Sequence, residues 1–256
     1  MLLRYGWLCF LLVPLLAPVC RAHRLEPIST RFARPFPRGT GSLEINYEYE
    51  RRTHEGIRTH VIPSVEFEIG LGRRMQLSLM MTLIREKESN EPGLVGAGHL
   101  ELGFRYLLVG GESRSYAVSI NSFVAPPTGN RRVAGDATKA GLALHVDKEF
   151  GKRVLFHGNY GWSTTLGGSE ERERLFFHRS AAVFPVTLRW NPTLEVLGET
   201  NTASGHSEVV LQPGVIYYVN RHWELKFAVP VGVPPSRAGI GVRAQVAWIF
   251  GRNGSD

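Results

Sequence analysis

Leu43 to Glu50 reads LEINYEYE, in which Leu43, Ile45, Tyr47 and Tyr49 alternate with Glu44, Asn46, Glu48 and Glu50. A period of two predicts a strand with one apolar and one acidic face. The pattern returns along the chain. Leu77, Leu79, Met81 and Leu83 alternate with Gln76, Ser78, Met80 and Thr82, and Leu102, Phe104, Tyr106 and Leu108 with Glu101, Gly103, Arg105 and Leu107. Further strands are predicted over 61–69, 115–125, 138–149, 153–163, 176–188, 194–202, 208–218, 222–232 and from about 238 to 250, about 12 in all. Pro63, Pro185 and Pro213 lack a ladder donor, so bulges or strand ends are expected there.

A soluble sheet facing water would show the same alternation, and the connections separate the two cases. Even-numbered strands are followed by short turns: GLGR, VGGES, FGKR, RWNPT and VNR. Odd-numbered strands tend to be followed by longer polar segments such as RRTHEGIRTH, REKESNEPGLVGAG, APPTGNRRVAGD and TTLGGSEERERL. Sorting by parity is expected of a bacterial transmembrane barrel, with tight turns in the periplasm and long loops outside. Spanning strands must close into a barrel, because an open edge in hydrocarbon leaves backbone groups unpaired. The expected fold is therefore all-β, a transmembrane antiparallel up-and-down β-barrel of about 12 strands, with both termini in the periplasm. Trp162, Trp190, Trp223 and Trp248 fit aromatic girdles at the membrane interfaces.

The N-terminus supports export. MLLRYGWLCFLLVPLLAPVCRA has a basic Arg4, an apolar run from Leu8 to Val19 and a small Ala22, so 1–22 reads as a signal peptide. Residues 23–40, HRLEPISTRFARPFPRGT, form an irregular periplasmic leader that stays in the periplasm or enters the lumen. Residues 41–250 make the barrel and 251–256 a polar tail. Both cysteines, Cys9 and Cys20, fall in the predicted signal, so the exported chain has no disulfide. The net charge of +7 includes Arg4 and Arg21; the remaining +5 is scattered without a nucleic-acid motif. No stretch after residue 22 is apolar enough for a spanning helix.

GHLELGFRYLL (98–108), FVAPPTGNR (123–131), FGKRVLFHGNYGW (150–162), LEVLGETN (194–201) and QPGVIYYVNRHWELKFAVPVGV (212–233) together resemble the outer-membrane proteins grouped with the MetA pathway of phenol degradation. The resemblance runs from about residue 41 to 250. It implies a barrel of about twelve strands in the bacterial outer membrane that moves small solutes, hydrophobic or aromatic ones included. It supplies no catalytic set. Phe250 looks like the terminal aromatic read by the barrel assembly machinery, with GRNGSD added after it.

Charge on the lipid face costs about 2–4 kcal/mol for an arginine at mid-membrane, so charged positions belong inside. The candidates for the lumen wall are Glu44, Glu48, Glu66, Glu68, Glu101, Arg105, His157, Glu195, Glu199, Glu224, Lys226 and Arg243. They would line a polar permeation path or pack into a network that fills the lumen. His145, Asp147 and His157 lack a compact ligand signature and read as lumen residues, so no metal is expected. The glycines lack phosphate-loop spacing, and no cofactor is expected. His178 and Ser180 resemble the His-x-Ser pair of outer-membrane phospholipases and lipid A deacylases, without the Asn-Gly that follows it in the phospholipases. The expectation is a non-enzymatic channel or transporter. An occluded structural or surface-interaction barrel is the alternative, and a lipid hydrolase is a weaker one. Expected partners are a small-molecule solute, the assembly machinery, and outer-membrane lipids and lipopolysaccharide, whose phosphates suit the loop arginines RR at 51–52, NRR at 130–132 and EERER at 170–174.

Overall fold

A computed structural model describes residues 25–51, 58–87, 93–111, 114–168, 173–234 and 239–251. The predicted signal peptide and most of the polar tail lie outside these residues. Twelve antiparallel strands follow one another round a closed barrel: β1 (Gly41–Arg51), β2 (Arg58–Gly70), β3 (Met75–Met81, continued by Leu83–Lys87) and β4 (Leu94–Ala97, continued by Glu101–Gly110). There follow β5 (Tyr116–Ala125), β6 (Thr138–Phe150), β7 (Val154–Leu166), β8 (Arg174–Val183) and β9 (Trp190–Asn201). β10 (Ser207–Tyr218), β11 (Trp223–Ala228, continued by Val231–Gly232) and β12 (Ile240–Phe250) complete the wall. β1 pairs with both β2 and β12, from Gly41 opposite Phe250 to Arg51 opposite Ile240, which closes the cylinder and removes every free edge.

The period-two pattern sorts the wall into two surfaces. Leu77, Leu79, Leu102, Phe104, Leu142, Leu144 and Val246 are exposed on the outside. Gln76, Glu68, Arg105, His145, Asp147, Asn159 and Gln212 are buried within. An apolar exterior of this extent is a lipid-facing one. Trp190 packs on Tyr217, with ring centroids 4.4 Å apart, and Trp223, Trp248 and Phe250 form a second aromatic row near the short turns. Phe250 also stacks on Phe67 at 5.7 Å.

The prolines mark the irregularities. Asn46 faces Ser64 but Glu48 faces Val61, so the ladder slips by one residue beside Pro63. Pro213 lies in β10 where its neighbour β11 is interrupted between Ala228 and Val231; its carbonyl accepts the Val229 N–H at 3.0 Å, and no donor is required of it. Around Pro185 the boundary differs from the sequence reading. β8 stops at Val183 and β9 begins at Trp190, so the turn is 184–189 rather than RWNPT. Phe184 N–H still reaches the Pro192 carbonyl at 2.9 Å, and the ladder ends where two prolines remove its donors.

A second difference concerns the loop after β3. Part of REKESNEPGLVGAG is strand: Leu83 pairs with Ala97 and Glu86 with Leu94, and the same arm stays paired with β2 from Val61 opposite Ile84 to Arg58 opposite Lys87. The next long connection folds against it. Asn130 caps a one-turn helix, α1 (Arg131–Ala134), and its backbone N–H bonds the Ala97 carbonyl at 2.8 Å.

The wall's two-sided design predicts an asymmetric response to charge. Leu144→Arg, at the middle of β6 on the outer face, should lower the stability of the barrel folded in lipid vesicles by about 2–4 kcal/mol. The readout is the urea midpoint of unfolding, and an unchanged midpoint would place this position outside the hydrocarbon.

Candidate functional site in the lumen

Twelve strands enclose more space than their own side chains fill. The leader occupies that space. Residues 25–36 lie inside the lumen, run up to its middle and return towards the start of β1. Leu25 packs among Val183, Ile216, Tyr218 and Leu155 near the short turns. Ala33 packs against Leu107 and Ala117 at the same end. Between them the segment has no regular structure, so its backbone groups need other partners.

The inward side chains supply them. Ser29 N–H and the Thr30 hydroxyl donate to Glu195 at 3.1 and 2.8 Å. Arg31 N–H donates to Asn159 at 2.6 Å, and the Asn159 amide donates back to the Arg31 carbonyl at 2.8 Å. Ala33 N–H meets Asp147 at 2.9 Å, Phe36 N–H meets Gln76 at 2.9 Å, and Phe32 N–H meets Glu26 within the leader at 2.8 Å. Gly70 is where the leader leaves the wall: a Cβ there would lie 2.1 Å from the Phe36 carbonyl oxygen, so only glycine lets the two backbones approach.

Arg31 is the charged centre of this contact. Its guanidinium bonds Glu66 and also meets Glu44 at 3.4 Å. Burial works against the charge, but the fields of Glu66, Glu44, Glu68 and Glu26 outweigh it and raise the pKa well above the ordinary arginine value. Arg34, on the returning arm, meets Glu149 at 3.3 Å and donates to the Arg114 carbonyl at 2.7 Å.

Glu44, Glu66, Glu68, Arg105, His157, Glu195, Glu224 and Lys226 are buried inside the barrel. Arg105 meets Glu68 at 3.6 Å, while Lys226 meets Glu224 at 3.8 Å. Arg243 binds Glu48 at 2.6 Å and donates to Gln212 at 2.9 Å. Glu101 is half-buried, and Glu199 faces an open cavity. Asp147 and His157, register partners on β6 and β7, join directly at 2.8 Å, with the Phe32 ring 5.3 Å from the imidazole. The uncharged holders of the leader, Gln76, Asn159 and Gln212, were not among the sequence candidates. Their signal was the same inward parity, carried by amides instead of charges.

Above the leader a cavity of about 340 Å³ opens towards the longer loops. Ile28, Ser29 and Arg31 form its floor, and Glu48, Phe177, Arg179, Glu199, Glu208, Val210 and Arg243 line its walls. On the outer surface, Ser180 shares a hydrogen bond with the Tyr160 hydroxyl at 3.2 Å, and His178 lies over Gly198, where a Cβ would sit 1.8 Å from its ring. The pair is therefore on the lipid side, with its serine bonded to a tyrosine.

No protein-family profile and no curated protein matches the chain. Solved structures do. An outer membrane channel from Pseudomonas putida F1 superposes with a TM-score of 0.69 at 12% identity, covering 89% of this chain and 100% of that one. The KdgM porin gives 0.57 at 10% identity, with 82% and 99% covered, and the NanC porin 0.56 at 8%, with 82% and 100% covered. The shared property is the fold, that of bacterial outer-membrane barrels.

The Arg31 contacts predict how firmly the leader is seated. Arg31→Ala removes the cation between Glu44 and Glu66, and amide exchange at residues 30–33 of the folded barrel should accelerate about tenfold or more. Exchange at wild-type rates would show that the backbone bonds to Asn159 and Asp147 hold the leader alone.

Proposed function

We propose that the protein is an outer-membrane channel or transporter for small solutes, hydrophobic or aromatic ones included, and carries no covalent chemistry. The observation that supports this reading is a polar, charge-lined lumen that is open as a cavity on the loop side and closed by a separable segment on the turn side. By the rule that bacterial barrels keep short turns in the periplasm, the leader enters from the periplasmic end and the cavity faces outwards. The barrel fold shared with a channel and two porins agrees with it. The aromatic preference comes from the resemblance to the phenol-degradation group.

The same leader favours a second reading, an occluded barrel with a structural or surface role, because polar contacts with Glu195, Asn159, Asp147 and Gln76 fill the turn end. In either case the exposed Arg131 and Arg132 on α1 suit lipopolysaccharide phosphates, and Phe250 at the end of β12 suits recognition by the assembly machinery.

Planar-bilayer recording of the refolded chain separates the two. Stepwise conductance that aromatic solutes block, and that rises when residues 25–36 are removed, is the expected result. Silence of both proteins across a broad solute set would establish the occluded barrel.

A further inference from the structure

We infer that the cavity above the leader is a binding site for a small organic monoanion, with the Arg179 guanidinium recognising its charge. This rests on the channel reading and adds a solute class to it.

The cavity's other arginines are paired with carboxylates. Arg31 is held by Glu44 and Glu66, and Arg243 by Glu48 at 2.6 Å. On the wall, Glu208 meets His206 at 3.3 Å. Arg179 differs. Its one hydrogen bond among the described residues runs from Nη1 to the Ser29 carbonyl at 3.2 Å, and no described carboxylate comes within ion-pair distance. Glu199, Glu195 and Glu101 act on it only from farther away, and Glu195 is already engaged by Thr30 and Gln212. A guanidinium has five N–H donors, so several remain for a ligand after the bond to Ser29.

Position and surroundings narrow the ligand. Arg179 sits on the inward face of β8, exposed on the wall of the cavity. Arg31 on the floor and Arg243 on the wall add positive field. A planar fork that lacks a protein carboxylate is suited to a carboxylate brought by the solute. Phe177, whose ring lies 5.6 Å from the Arg179 guanidinium carbon, joins Leu197 and Val210 in an apolar wall beside the charge. Glu48, Glu50, Glu199 and Glu208 line the same space and oppose a multiply charged solute. One anionic group on an apolar body fits all three conditions. The volume of about 340 Å³ falls at the small end of ligand pockets, which run from about 300 to 1,000 Å³.

Calorimetric titration of the refolded chain in detergent with benzoate and with neutral benzamide tests the site. Benzoate should bind the wild type more tightly than benzamide. Arg179→Gln should weaken benzoate by about tenfold or more without changing benzamide, and Arg179→Lys should recover part of the loss. Heat-modifiable gel mobility checks that each variant is folded. Equal affinity for the two solutes, or benzoate binding that a folded Arg179→Gln barrel retains, would overturn the site. Bilayer recordings keep this apart from the channel reading. Arg179-dependent binding in a silent barrel would sink transport and leave the site standing, whereas a conducting barrel whose benzoate binding ignores Arg179 would do the reverse.

Discussion

One constraint governs both the wall and its contents: a backbone N–H or carbonyl withdrawn from water must find a partner. In the wall this requirement closes the sheet, because β1 pairs with β12 along its whole length and no edge is left facing lipid. Inside, the same requirement acts on a segment that has no ladder. Residues 29–36 are irregular, and the wall answers their donors one at a time through Glu195, Asn159, Asp147 and Gln76. The leader is thus held by the polar faces of strands whose apolar faces meet the membrane.

The lumen's charges follow from this arrangement. Carboxylates gathered inside a barrel repel one another, and the leader contributes the cation that Glu44 and Glu66 share. Further along, Glu68 with Arg105 and Glu224 with Lys226 balance within the wall itself. The turn half of the lumen is therefore a packed polar core, and the loop half remains a cavity. That division makes both wall and plug out of one chain, since the segment filling the turn half of the lumen is joined to the wall by polar contacts and two small apolar clusters rather than by a continuous sheet.

Much of this was legible in the residues. Strand number, the alternation of faces, the parity of turn and loop lengths, and the irregularity near Pro63 all follow from local rules. The misplaced boundaries have local causes too. The run 176–188 remains apolar to Leu188, so periodicity alone carries the strand past Val183, whereas the absent donors of Pro185 and Pro192 end the ladder sooner. Between Arg85 and Ala97 the polar composition reads as a loop, yet Arg85 faces Val95 in a hairpin whose cross-strand pairing does not depend on a buried face.

The amino-acid order by itself determined that this chain forms strands with one face for lipid and one for charge, because a period of two is a property of the extended backbone and needs no partner to be expressed. It could not say where the leader goes. HRLEPISTRFARPFPRGT has no period, and its destination depends on acceptors supplied from positions as distant as Asp147, Asn159 and Glu195. Only closure brings those side chains around one axis, and the tertiary structure alone decides that Arg31 becomes paired while Arg179 faces an open cavity.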